Sequence, residues 1–325
     1  MKYLYFSEAL PKISEFSLGT MMFGWRVHEA QAIELISLAR DLGINLIDTS
    51  ISYGQGKSHE LISLALKKIG GRSNFVLATK VGGRSNDMPL STKYITKRMV
   101  IEECNLSLKQ LGTDYVDLLQ LHYPPQKFQY AEIFEAINAL KNQGKIRDFG
   151  VCNFHGEDIE NLLNFEKNCK PICHQFEANL LNAVESDKNF HFAKKYNLNT
   201  VTWGLLSSGL LTDWYINNVI FRPGSRLDLG REGKNKIHTL NSPKTREFFS
   251  LIENVIAPLN MSFQELCVLW MLSEHENNCI LLGPSNIRHF KELYAFYDSR
   301  NQRAPLVNLE IFSIIKKAIY DSNSL

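Results

Sequence analysis

The feature that most limits what this chain can become is a rhythm. Short, β-branched apolar runs alternate with amphipathic stretches along nearly its whole length. That alternation is the mark of parallel βα units. Residues 16–21, 44–49, 75–80, 115–121, 146–152, 171–177, 199–203 and 279–282 read as eight strands, the number that closes a (β/α)8 barrel. Between them, Ala32, Leu35, Ile36, Ala39 and Leu42 share one helical face ahead of Gly43, and Val100, Cys104, Leu108 and Leu111 do the same ahead of Gly112. A glycine in either place suits a left-handed helix end. Two short runs flanking Leu10-Pro11, at 2–6 and 12–14, predict a hairpin before the first strand, placed to plug the barrel floor.

The rhythm lapses once, over residues 207–241, which are rich in Gly, Asn, Arg and Lys and have little hydrophobic period. A loop of that length in a compact domain is usually functional or disordered. Helical patterns at 243–257 and 262–275 follow it, and no linker or internal repeat divides the chain. One α/β domain over 1–325 is therefore expected. The rival, a doubly wound sheet, normally carries G-x-G-x-x-G after its first strand, and this chain has Met22-Phe23-Gly24-Trp25 there. Gly56-Lys57-Ser58 imitates the end of a phosphate-binding P-loop, but Ile51 stands where the first glycine should be.

Composition narrows the partners. With 36 basic and 34 acidic residues the formal charge is +2, too little excess to attract a nucleic acid. No apolar run approaches the roughly 20 residues of a membrane span, and the first residues reach a charge too early for a secretory core. A cytoplasmic protein with neither membrane nor nucleic-acid partner is the expectation. The cysteines Cys104, Cys152, Cys169, Cys173, Cys267 and Cys279 lack Cys-x-x-Cys spacing, so disulfides and zinc are not expected.

In a barrel, chemistry gathers at the C-terminal ends of the strands. Asp48 ends the second strand, Lys80 the third and His122 the fourth, and Tyr53 follows Asp48 in the next loop. Singly, each reads as an ordinary cap or loop residue; together they form an acid–base set. A phenol of pKa near 10 is a slow proton donor at neutral pH. An adjacent ammonium, here that of Lys80, favours the phenolate and lowers that value, while Asp48 keeps the lysine charged. His122 would orient a carbonyl.

The chain resembles the aldo-keto reductase family over almost its full length. The resemblance rests on Ser17-Leu18-Gly19-Thr20-Met21-Met22-Phe23-Gly24, on Asp48-Thr49-Ser50-Ile51-Ser52-Tyr53-Gly54, on Leu111-Gly112-Thr113-Asp114-Tyr115-Val116-Asp117-Leu118, and on Gly144-Lys145-Ile146-Arg147-Asp148-Phe149-Gly150-Val151-Cys152-Asn153-Phe154. It implies that Asp48, Tyr53, Lys80 and His122 are a catalytic tetrad reducing an aldehyde or ketone by hydride transfer from NADPH, with NADH as the other candidate. The alternative in the same family is a cofactor-binding regulatory subunit with little turnover.

The resemblance also implies a cofactor site. Asn153 and Gln175 would hold the nicotinamide carboxamide, and Trp203 would stack on the ring where the family commonly has tyrosine. Gly204, Leu206, Ser208, Gly209 and Leu210 would meet the diphosphate, and Gly283, Ser285, His289 and Glu292 the adenosine. Arg226 or Arg288 could pair with a 2′-phosphate. The departures from the family pattern are His289 for glutamine, Leu293 for asparagine, His59 after Ser58 for glutamate, and Cys152 for serine.

Overall fold

Each apolar run is bounded by polar or glycine-rich sequence, so it can enter a sheet and leave it again within a few residues. In the computed structural model these runs become eight parallel strands that close on themselves. The structure describes residues 1–83, 95–166, 169–230, 238–274, 277–300, 311–315 and 317. Strands β1 (Tyr3–Leu4) and β2 (Ile13–Ser14) form the expected antiparallel hairpin, pairing Tyr3 with Ser14 and Leu4 with Ile13. The barrel strands are β3 (Phe16–Gly19), β4 (Leu46–Asp48), β5 (Val76–Val81), β6 (Val116–Leu121), β7 (Ile146–Cys152), β8 (Cys173–Glu177), β9 (Asn199–Trp203) and β10 (Asn278–Leu282). They run round the barrel in chain order, with β10 between β9 and β3.

Contacts gather the chain into two compact units. The first, Met1–Phe176, Asn189–Trp203 and Asn277–Phe290, contains the barrel. Side chains alternate across a strand, so Leu46 and Asp48, Val76 and Lys80, and Leu118 and Gln120 share its inner face. The lower positions are apolar: Leu46, Val76, Leu118 and Val201 pack in one buried cluster with Leu4, Phe6, Leu10 and Ile13 of the hairpin segment. The hairpin thus fills the floor. In β4, β5 and β6 the upper positions are polar, and this change of character divides a sealed base from a chemical mouth.

The surrounding helices follow their sequence pattern. Glu29–Asp41 buries Ala32, Leu35, Ile36 and Ala39, and the chain then turns at Gly43 with φ 76°. Lys97–Leu111 buries Val100, Cys104, Leu108 and Leu111, begins at Thr96, whose hydroxyl accepts from the Met99 N–H, and ends at Gly112 with φ 63°. Both glycines adopt the left-handed conformation their positions predicted.

The second unit comprises Glu177–Lys188, Gly204–Glu276 and Lys291–Leu325. Of the stretch 207–241, residues 231–237 lie outside the described residues; the described part carries short helices at Asp213–Asn217 and Arg226–Leu229 that its weak periodicity did not predict. Helices this short carry too few turns to show a period. Arg246, on the helix Pro243–Ile256, donates to the carbonyls of Tyr215 and Ile216. The Asp213 carboxylate accepts from the Phe263 N–H at the head of the helix Phe263–Glu274. Among the described residues no single helix is long and apolar enough to cross a membrane.

One close approach in the barrel interior sets a packing limit. Gly150 lies in register with Gln120, and a Cβ there would stand 2.6 Å from Cys173 Sγ, 3.1 Å from the Cys173 carbonyl oxygen and 3.5 Å from Gln120 Cγ. The backbone oxygen cannot rotate away. We expect Gly150→Ala to destabilise the fold by about 1–3 kcal/mol, the usual range for overpacking, measured as a lower midpoint in urea unfolding.

Candidate active site

Strand β4 ends with Asp48 on the inner face, and the chain must then turn sharply to start the helix Lys57–Ile69. The turn is built from small hydroxyl residues and left-handed backbone. Ser50 and Ser52 join their hydroxyls at 2.9 Å, Tyr53 N–H donates to Ser50 O, and Gly54 and Gln55 adopt φ 56° and 54°. Tyr53 is carried on that turn. Its two ends are tied down: Thr49 Oγ1 meets Ser58 Oγ at 3.0 Å, and Ser58 Oγ donates to Thr20 Oγ1 at 2.9 Å. His59, the residue that departs from the family pattern, is wholly buried, with Nε2 3.0 Å from Thr79 Oγ1 and Nδ1 3.0 Å from Gln110 Oε1.

The four residues singled out from the sequence lie in one cluster of the first unit. Lys80 Nζ is 2.5 Å from Asp48 Oδ1, 3.0 Å from Thr49 O and 3.2 Å from the Tyr53 hydroxyl. The lysine is 0% exposed and the aspartate 2%. His122 joins through Ser50 Oγ, 3.4 Å from its Nδ1, and its ring stands edge-on to Tyr53 with centroids 6.2 Å apart. Behind it, Tyr123 stacks at 4.8 Å and 11°.

The electrostatics correct one expectation. Lys80 does favour the Tyr53 phenolate, but burial of the phenol is the larger influence and Asp48 adds to it, so the tyrosine is pushed up to about 12. At neutral pH the hydroxyl is a held proton. Burial also works against the charge on Lys80, yet Asp48 and the other neighbours together outweigh it and its pKa rises. His122 is pushed down to about 3, first by burial and then by Lys80. The imidazole is therefore neutral, able to donate from one nitrogen and accept at the other.

Around this cluster the strand ends supply amides. Asn153, with φ 58°, donates from Nδ2 to His122 O at 3.1 Å and accepts at Oδ1 from Trp203 Nε1 at 3.2 Å. Gln175 is buried; its Nε2 donates to Asp48 Oδ2 at 2.9 Å and its Oε1 accepts from Cys152 Sγ at 3.3 Å. Gln120, a residue that motif reading passed over, is 0% exposed and donates to the same Asp48 Oδ2 at 3.2 Å. A signal for it existed: Gln120 lies two positions before His122 on a strand and so shares its face.

Also in the first unit, Ser285 Oγ and Asn286 Nδ2 meet His289 Nδ1 at 3.1 and 3.2 Å, while His289 N–H donates to Asn286 Oδ1. This arrangement starts the helix Ile287–Asp298, which also carries Arg288 and Glu292. Gly283 has open space where a Cβ would project. In the second unit, the turn from Gly204 through Leu206 to Leu210 uses left-handed backbone at Gly204, Ser207, Ser208 and Gly209. Gly209 likewise faces open space, and Arg226 begins its own short helix.

The sequence model described as the Aldo/keto reductase family matches residues 15–301. The chain belongs to that family. Aldo/keto reductases are oxidoreductases that use nicotinamide cofactors, usually NADP(H). Among curated relatives, an aldo-keto reductase, YhdN of Bacillus subtilis, is 28% identical and aligned over 99% of this chain and 96% of its own. A putative voltage-gated potassium channel subunit beta of Schizosaccharomyces pombe is 27% identical over 84% of this chain and 81% of its own. Two solved structures share the fold. A glycerol dehydrogenase of Gluconobacter oxydans has a TM-score of 0.77 at 21% identity, covering 99% of this chain and 95% of that one. An aldo/keto reductase of Brucella melitensis has a TM-score of 0.63 at 22% identity, covering 93% and 98%.

Burial of imidazoles gives this aldo/keto reductase a predictable acid sensitivity. His59, His122 and His174 are held down to about 4, 3 and 3, in each case chiefly by burial. The folded state keeps them neutral, whereas the unfolded chain takes up their protons below about pH 6.5. Stability is therefore complete above that pH and falls as the pH drops towards the folded values, by up to roughly 4 kcal/mol per pH unit near pH 5 if all three contribute. Urea midpoints at pH 7, 6 and 5 should decline with increasing slope; a flat series would contradict the assignment.

Proposed function

We propose that this protein is an NADPH-dependent carbonyl reductase in which Tyr53 protonates the carbonyl oxygen. The observation that carries the reading is the Lys80 ammonium, in contact with Asp48 Oδ1 on one side and the Tyr53 hydroxyl on the other. A phenol alone gives up its proton slowly near pH 7. Beside a buried ammonium, the phenolate left after transfer is stabilised at the moment it forms, which is where stabilisation accelerates a reaction.

The residues fit a nicotinamide cofactor. The Asn153 amide is oriented by His122 O and the Trp203 indole N–H, which leaves one N–H and one oxygen lone pair for a carboxamide. Gly283 leaves the space that close approach of a large ligand needs. Asn153 would fix the carboxamide and Trp203 would cover the ring with its large apolar face. When bound, the cofactor supplies the hydride. Arg288, close after Ser285, suits a 2′-phosphate and supports NADPH over NADH, because a guanidinium can make paired hydrogen bonds to a phosphate.

This chain's own residues then divide the work. Neutral His122 donates a hydrogen bond to the substrate oxygen and orients it. Tyr53 delivers the proton to that oxygen as it becomes an alcohol. Lys80 holds the resulting phenolate, and Asp48 keeps Lys80 charged throughout. Trp25 and Tyr123, which keep accessible surface, would offer an apolar wall to the substrate, whereas Phe23 is wholly buried; simple aldehydes and ketones are the substrate class.

Replacing Tyr53 with Phe removes the proton and keeps the ring. We expect kcat for aldehyde reduction to fall by about 100-fold or more, while NADPH still quenches tryptophan fluorescence with an unchanged Kd. Undiminished turnover in Tyr53→Phe would refute the role of the phenol.

A further inference from the structure

The second oxygen of Asp48 carries information that the proposed reaction does not use. Oδ1 faces Lys80, but Oδ2 accepts from two amides, Gln120 Nε2 at 3.2 Å and Gln175 Nε2 at 2.9 Å. Neither glutamine is held there by chance of packing. Gln175 has its oxygen engaged by the Cys152 thiol, which points the NH2 end at the carboxylate. Gln120 has no such help: among the described residues its Oε1 has no hydrogen-bond partner, although the side chain is 0% exposed.

A buried amide oxygen without a partner costs about 1–3 kcal/mol, and hydrophobic residues of similar size could occupy the same place. Flipping the amide would not relieve it, because the oxygen would then face the carboxylate. Its location is equally particular. Gln120 stands in register between Lys80 on β5 and Gly150 on β7, and the missing side chain of Gly150 leaves the room it fills.

We infer that Gln120 is a positioning residue for the proton-transfer chain. With Gln175 it clamps Asp48 Oδ2, so the carboxylate cannot rotate about Lys80 and the ammonium stays within reach of the Tyr53 hydroxyl. The influence runs from Gln120 through Asp48 and Lys80 to Tyr53; Gln120 touches no reacting atom. This inference rests on the assignment of Tyr53 as proton donor.

The test is a double-mutant cycle with Gln120→Met, which keeps the volume and removes the donor, and Asp48→Asn. We expect Gln120→Met to lower kcat about tenfold with substrate KM and NADPH Kd unchanged, and to have little further effect in the Asp48→Asn background, since coupled groups are not additive. Full additivity, or a kcat equal to wild type, would overturn the clamp. If Gln120→Met does not fold, Gln120→Asn serves instead: it keeps an amide but draws it back from the carboxylate, and the same kcat loss is expected.

A second readout needs no turnover. The 15N resonance of the Lys80 ammonium, assigned with Lys80→Arg, should shift in Gln120→Met because its counter-ion has moved. An unmoved resonance overturns the clamp. Failure of the wild-type protein to reduce any carbonyl, with the resonance shift present, would instead remove the proton-donor assignment and leave the clamp standing as a structural fact.

Discussion

The structure is organised around a cation and an anion placed where water does not reach. Lys80 and Asp48 sit together on the inner face of the barrel. Removing such groups from water is expensive, and their mutual attraction rarely returns more than the cost. What makes the pair tenable is saturation: the lysine also reaches Thr49 O and the Tyr53 hydroxyl, and the aspartate also receives Gln120 and Gln175. These groups come from four strands and a turn. The observed register brings all of them together, so the ion pair depends on the barrel topology as much as it belongs to the mouth.

The same burial sets the protonation states. Within an apolar wall, desolvation competes with every local charge, and at Tyr53 it wins over the nearby ammonium. The phenol therefore rests protonated. At His122 burial and Lys80 act in the same direction, and the ring rests neutral. One low-dielectric setting thus leaves the tyrosine protonated and the histidine uncharged without a separate device for each. The chemistry we propose needs both.

Much of this was legible in the sequence, and the reasons are physical. Strands such as β5, β6 and β10 announced themselves by short runs of mostly apolar residues recurring between helical patterns, and helix ends because Gly43 and Gly112 sit where a left-handed residue is needed. Asp48, Lys80 and His122 stood out as polar residues ending apolar strands. Gln120 did not, since an apolar residue, Leu121, still follows it in its strand, and a polar residue inside a strand is ambiguous until its partner two strands away is known. The direction of the Tyr53 shift was missed for a related reason: a neighbouring charge can be read from residue identity, but the degree of burial is a property of the whole fold. The short helices within 207–241 were too brief to leave a period.

The turn that carries Tyr53 is moored at Thr49 where it leaves β4 and at Ser58 and His59 where it enters the helix. A loop so tethered has already surrendered its freedom when the chain folds. Capturing a small molecule then exacts no further ordering of the phenol, and whatever attraction the guest brings is available for alignment with its hydride source rather than for assembling the receptor.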